Sequence, residues 1–245
     1  MPQPGLLYPD WPAPNVIRAA VTTRQGGFST QPWQSLNLGL HVGDDPETVQ
    51  RNRALVGNEL SLPAEPVWLD QVHGATVIDA AKAQPNTAAD AAWTDRPGVV
   101  CAVLTADCLP VFFTSREGDR VAVAHAGWRG LASGVLEGTV EALGNPAALI
   151  CWLGPAIGPA DFEVGDEVRD QFLSWNSQCD QAFTRQDNGK WLADIYQLAR
   201  LRLRLAGIEQ ISGGNFNTFS DTERFFSYRR DGQTGRMASL IWRQR

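Results

Sequence analysis

The chain has 245 residues, of which 43% are hydrophobic and 20% charged. That is enough apolar material to bury a substantial core. A net charge of −6 disfavours a nucleic-acid surface, which needs clustered Lys and Arg to displace counterions. No window approaches the roughly 18 consecutive apolar residues of a membrane helix, so no membrane partner is expected.

The N-terminal MPQPGLLYPDWPAP lacks a basic region and is studded with prolines, so it is read as neither a signal nor a transit peptide, and a cytoplasmic location is expected. Apolar runs rich in Val, Ile, Phe and Trp predict strands over 16–23, 67–73, 99–104, 109–114, 121–125, 149–153, 225–228 and 238–242. Between them, Asp45-Pro46-Glu47 makes an N-cap and first turn, with Val49, Val56 and Leu60 on one helical face. Ala132, Leu136, Val140 and Leu143 mark a second helix, and Val164, Val168, Phe172 and Trp175 a third. Ile195, Leu198, Leu201 and Leu205 mark a fourth, stopped by Gly207. The Pro- and Ala-rich piece 80–92 reads as a surface loop. Strands and helices are mixed without the alternation of a doubly wound sheet. The expectation is an α+β fold, a mixed β-sheet sandwich with flanking helices, in a single domain spanning 1–245. Nothing in the sequence sets an oligomeric state.

Four cysteines, Cys101, Cys108, Cys151 and Cys179, are too scattered for a disulfide framework and read as reduced thiols. The three histidines, His41, His73 and His125, each sit where a strand or loop meets glycine, in LGLHVGDD, DQVHGATV and VAVAHAGWRG. A histidine there projects into whatever cleft lies at the strand end. His73, Cys108 and His125 all follow apolar strands, and three ligands on separate elements leave a fourth position for water or substrate, the pattern of a catalytic metal. Two readings stand for Asp107, in TADCLPV: a cap on a loop, or an acid that orients a metal-bound water or a ligand imidazole. A free Cys108 thiol beside it would have a raised pKa, whereas a metal would deprotonate it outright.

The blocks TTRQGGFS, SLNLGLHVGDD, WLDQVHG, TADCLPV, AHAGWRG, WLGPAIGP, FEVGDEV, ADIYQLAR and FFSYRRDGQTGRMAS, in that order, resemble the bacterial laccase-domain family. That family is also called polyphenol-oxidase-like or peptidoglycan-editing factor, and includes purine nucleoside phosphorylases. The resemblance covers nearly the whole chain. It implies a mixed α/β sandwich and a zinc ion (Zn2+) held by His73, Cys108 and His125. It also implies small-molecule substrates, with phosphorolysis of adenosine, inosine, guanosine and methylthioadenosine and deamination of adenosine. Two further activities attach to the family: oxidation of phenols with copper, and amidase removal of a misincorporated amino acid from a UDP-muramoyl peptidoglycan precursor. One departure stands out: many relatives carry a cysteine before a threonine near the C-terminus, where this chain has Asn217 before Thr218.

Counting ligands tests the oxidase. A multicopper site needs on the order of ten histidines, and this chain has 3, so copper (Cu) would enter only as an adventitious occupant of the zinc site. Phosphorolysis needs an anion pocket instead. Arg24, in a Gly-rich turn, is the first candidate for phosphate. Arg129 follows, beside Gly127 and Gly130 at the start of the second helix, with Arg229 and Arg230 behind it. His41 is taken as a substrate contact. Phosphorolysis acts at C1′ and deamination at C6, so one fixed pose does not obviously serve both. A non-catalytic, zinc-stabilised nucleotide-binding module is the non-enzyme alternative.

Overall fold

The computed structural model describes residues 2–84 and 86–244. Its elements in chain order are β1 (Leu6–Leu7), β2 (Ile17–Thr22), α1 (Pro46–Glu59), β3 (Val77–Asp79), β4 (Ala91–Thr94), β5 (Val100–Thr105), β6 (Leu109–Ser115) and β7 (Val121–Ala126). There follow α2 (Trp128–Ala132), α3 (Val135–Leu143), β8 (Leu149–Leu153), β9 (Glu163–Val164), α4 (Asp166–Trp175), β10 (Phe183–Arg185) and β11 (Trp191–Ala193). The last are α5 (Ile195–Leu205), β12 (Gln210–Gly213), α6 (Tyr228–Asp231) and β13 (Met237–Arg243).

An antiparallel sheet of order β1-β2-β13-β5 faces a mixed sheet of order β12-β8-β6-β7-β4-β3, whose two edge pairs are parallel. Strand alternation decides what each face meets. Cys101 and Val103 of β5 and Ile241 of β13 point between the sheets, against Phe112, Val121, Val123 and Trp152. Phe112 stacks on Trp152 with ring centroids 5.7 Å apart. Burying one such side chain contributes about 1.5–3 kcal/mol. The opposite faces carry helices. Val100, Ala102, Leu104, Leu240 and Trp242 pack with Val56 of α1, and Leu109, Val111, Phe113 and Ala124 pack with Leu136 and Val140 of α3 and Leu198 of α5. The result is a mixed α/β sandwich, as the pattern predicts. A small antiparallel sheet, β10-β11-β9, lies apart.

Asp45 caps α1 by accepting from the Thr48 N–H at 2.9 Å, and Pro46 follows at the first helical position. Other expectations are corrected. The 67–73 segment is no strand, and its β-pairing is confined to isolated bridges at Val67 and Asp70. Its apolar character reflects burial of Leu69, and the Gln71 amide replaces ladder bonds by accepting from Leu104 N at 2.7 Å and donating to Leu104 O at 2.9 Å. The 225–228 run is also not a strand: Phe225 and Phe226 are buried against Ala106 and Met237, and Ser227 caps α6. The piece 80–92 is not wholly loop, because Ala91 and Ala92 open β4, which pairs with β3 and β7. Alanines fill this narrow position and give little hydrophobic signal. The second helix divides into α2 and α3 at Gly134, whose φ is 95°.

Candidate metal centre and active site

Three elements converge at one end of the sandwich. His125 is the penultimate residue of β7, on the same side as Val121 and Val123, and pairs across the ladder with Pro110 of β6. Cys108 immediately precedes β6, after a reversal in which Asp107 has φ 92°. His73 ends the irregular 67–73 segment at φ 59°. Their donor atoms all lie within 4.8 Å of one another, with His73 Nε2 3.9 Å from Cys108 Sγ. The two imidazole centroids are 4.8 Å apart and nearly perpendicular, at 76°.

A tetrahedral zinc-sized ion places nitrogen and sulfur donors about 3.3–3.6 Å apart, so a small closure of the triad around an ion suffices. The space is kept clear by Gly127, where a Cβ would stand 3.0 Å from both Cys108 Sγ and His73 Cδ2. Two imidazoles and a thiolate are a donor set that suits a borderline-soft ion. His73, Cys108 and His125 could therefore hold a metal.

Asp90, which the sequence reading missed, organises this centre. It is fully buried. Its Oδ1 accepts from His125 Nδ1 at 2.8 Å and from the His73 N–H at 2.9 Å, and its Oδ2 from the Gly74 N–H at 2.6 Å. The Asp90 carbonyl also accepts from the His125 N–H at 2.7 Å. One carboxylate thus fixes the His125 tautomer, leaving Nε2 for a ligand, and holds the backbone that carries His73. The available signal was an acid isolated in the alanine-rich stretch ADAAW.

Electrostatics follow from the packing. Burial alone would raise the Cys108 thiol, but His125 and His73 stabilise its thiolate and bring it down to about 6. Burial would lower His125, yet the facing Cys108 thiolate and the Asp90 carboxylate lift it to about 9. Without a metal the packing favours a thiolate beside an imidazolium, so the two histidines shift the Cys108 thiol opposite to the rise expected from burial and the Asp107 carboxylate.

Asp107 itself turns away from the triad. Its Oδ1 accepts from Thr218 Oγ1 at 2.6 Å, and its Oδ2 from Ser227 Oγ at 3.0 Å and the Arg229 N–H at 2.7 Å. It pins the C-terminal loops, which is the capping reading, and its carboxylate is fully engaged there. Arg24, the first sequence candidate for phosphate, lies away from the triad. Its Nε donates to Gln34 O and its Nη1 to Thr222 O, both at 3.1 Å, while the guanidinium lies over the Phe226 ring. Arg24 ties two loops together and lines neither cavity at the triad.

The helix start in HAGWRG packs closely against the His73 loop. α2 has only 5 residues, and a Cβ on Gly130 would meet Gly74 O at 2.7 Å, so small residues there let the His73 loop approach. Arg229 donates to the Glu163 carbonyl of β9, and Arg230 to the loop carbonyls of Thr218, Phe219 and Phe225. Asn217 is structural: it accepts from Gly158 N at 3.0 Å and donates to Asp161 Oδ2 at 2.6 Å.

Two cavities meet at the triad. One, of about 240 Å³, has walls from Trp128, Ile157, Phe162, Ile195 and Tyr228, and includes Arg129, whose guanidinium stacks on Trp128. The other, of about 510 Å³, is lined by His41, Asp70, Gln71, Tyr228 and Arg236 as well as His73, Cys108 and His125. His41 is thus brought to the site, and burial, then Arg236 and Arg53, hold its pKa below the usual imidazole value. A separate cavity of about 640 Å³ beside Arg200, Arg204 and Asn215 contains no triad residue.

Comparisons with known proteins place the chain among close relatives. A purine nucleoside phosphorylase of Pseudomonas aeruginosa is 56% identical, over 97% of this chain and 98% of the relative. Purine nucleoside phosphorylase YfiH of Escherichia coli is 53% identical, with the same shares covered. The crystal structure of a Neisseria meningitidis protein superposes with a TM-score of 0.95 at 49% identity, covering 98% of this chain and 100% of that one. YlmD from Geobacillus stearothermophilus superposes at 0.91 with 33% identity, covering 98% and 97%. No helix among the described residues is long and apolar enough to cross a membrane. Residues 18–244 match the family described as multi-copper polyphenol oxidoreductase laccase, and with relatives this similar over nearly its full length the chain belongs to that family.

Proposed function

We propose that the protein is a zinc-dependent purine nucleoside phosphorylase acting on adenosine, inosine, guanosine and methylthioadenosine, with adenosine deamination as a second activity of the same site. The observation that carries this reading is the position of the triad between two unlike cavities. The apolar one, of about 240 Å³, suits a purine ring, and the polar one, of about 510 Å³, suits ribose and an oxyanion. Together they fall within the range of small-molecule sites, about 300–1,000 Å³.

Phosphorolysis forms a C1′–O bond, breaks the C1′–N9 bond and leaves the electron pair on the purine. Tyr228 lines both cavities and offers a ring on which a nucleoside can lie at their junction. Asp90 keeps His125 and the backbone of His73 in register, so that only a small closure of the three donors is needed on binding. Zinc held by His73, Cys108 and His125 would supply a Lewis acid and lower the pKa of a water from about 15.7 to about 7. The family's copper chemistry is not adopted: 3 histidines cannot build a multicopper cluster, and copper at the triad would be adventitious. Four free cysteines support a reducing, cytoplasmic setting.

The test is to incubate zinc-loaded protein with inosine and phosphate, and separately with a UDP-muramoyl amino acid, and to identify products by mass. Hypoxanthine and ribose 1-phosphate, formed only with phosphate, are expected. Release of the amino acid with no purine base would replace this reading with the amidase.

A further inference from the structure

The polar cavity carries a cation that the metal centre does not use. Arg236 lines it and also the adjoining cavity of about 420 Å³, together with His41 and Tyr228. Its position is fixed from several sides. The Arg236 N–H donates to Asn37 Oδ1 at 2.9 Å, and the side-chain stem lies against Gly39, where a Cβ would meet Arg236 Cγ at 2.9 Å. Nη1 donates to the carbonyls of Thr234 at 3.0 Å and Gly235 at 3.1 Å, and the guanidinium sits 5.8 Å from the Tyr228 ring centroid.

What is left over is informative. Among the described residues Nε and Nη2 of Arg236 have no acceptor, and no carboxylate pairs with it. Nε and Nη2 form the edge of a guanidinium that takes two oxygens of an oxyanion side by side. Two nearly fully buried hydroxyls, Thr105 Oγ1 and Thr234 Oγ1, also lack partners, and Thr105 lines the first cavity and Thr234 the second. Arg24 and Arg230 line neither cavity at the triad, whereas Arg236 lines the polar one and has two guanidinium nitrogens without an acceptor.

We propose that Arg236, with His41 beside it, forms the oxyanion subsite, and that the anion it holds is inorganic phosphate. This rests on the phosphorolytic reading of the site and names the residue that receives the second substrate. Arg236 keeps its proton throughout and positions phosphate through Nε and Nη2; it takes no part in proton transfer. The sequence block FFSYRRDGQTGRMAS contains three arginines, Arg229, Arg230 and Arg236, and only the fold distinguishes the last from the two that pin loops.

The experiment uses the intact wild-type protein, because an Arg236 variant removes packing against Gly39 as well as charge. Phenylglyoxal labelling is mapped by mass spectrometry with and without inorganic phosphate, and with uridine diphosphate as a second anion. Phosphate should slow labelling of Arg236 at least tenfold while leaving surface arginines unchanged. Arg236→Lys, which keeps the stem and the charge, should raise the KM for phosphate at least tenfold with the KM for inosine within about twofold. Labelling of Arg236 indifferent to phosphate, in protein that does phosphorolyse inosine, would remove the subsite and leave the function standing. Protection by phosphate in protein that releases no purine would keep the subsite and remove the function. Protection by uridine diphosphate alone would overturn inorganic phosphate as the ligand.

Discussion

Replacing Asp90 by Asn tests whether one buried carboxylate organises the metal centre. Three donors reach its two oxygens: His125 Nδ1 at 2.8 Å and His73 N at 2.9 Å on Oδ1, and Gly74 N at 2.6 Å on Oδ2. An asparagine has one acceptor. The better orientation keeps its oxygen on the two histidine donors and turns its NH₂ against the Gly74 N–H, which leaves a buried donor unsatisfied at a cost of about 1–3 kcal/mol. For a chain of this size that lowers Tm by about 4–8 °C if the cost is about 2 kcal/mol. Metal affinity should fall further than a purely structural loss implies, because the carboxylate also raises the basicity of His125. Removal of such a partner typically weakens binding 10–100-fold, about 1.4–2.8 kcal/mol. Competition of the protein against a chromophoric zinc chelator reads the affinity, and calorimetry of the metal-free protein reads the stability. A variant that melts lower but binds zinc within about twofold of wild type would reduce Asp90 to a brace and refute this account.

Since the Cys108 thiol is brought down to about 6, iodoacetamide should alkylate it in chelated protein at a rate that is half-maximal near that pH and flat above it; a midpoint near about 8.5, as for a free thiol, would contradict the thiolate–imidazolium pair. His125, lifted to about 9, must lose its proton to bind a metal, so apparent zinc affinity should climb as pH rises towards that value; affinity independent of pH between about 7 and 9 counts against it. Arg24→Ala should lower the melting temperature by freeing the Gln34 and Thr222 carbonyls and leave the KM for phosphate unchanged; a large rise in that KM would restore Arg24 as the clamp. Gly127→Ala places a methyl 3.0 Å from Cys108 Sγ and His73 Cδ2, so it should abolish stoichiometric zinc without unfolding the protein, as read by elemental analysis and circular dichroism.

Sequence alone determined the buried central strands, the capped α1 and the triad, because each is written in local pattern. The unbroken apolar runs at 100–104 and 121–124 follow from strands buried on both faces. The Asp45-Pro46 start of α1 follows from backbone groups that only a short polar side chain can satisfy. His73, Cys108 and His125 were legible because scarce metal-ligating residue types follow apolar runs, the two histidines beside glycine, and fall in the QVHG, TADC and HAGWRG blocks that resemble the laccase-domain family. What the tertiary structure decided is which charged side chains are already engaged. Asp107 and Asp90 are both lone acids in apolar surroundings, and only the fold shows that the first accepts from Thr218, Ser227 and Arg229 while the second accepts from His125, His73 and Gly74. Arg24 and Arg236 carry the same guanidinium, yet Arg24 meets carbonyls from Gln34 and Thr222 and Arg236 keeps an edge open to the cavity. Partners that lie far apart along the chain leave no trace in local composition, since a hydrogen bond depends on where two groups meet in space and on what else competes for them.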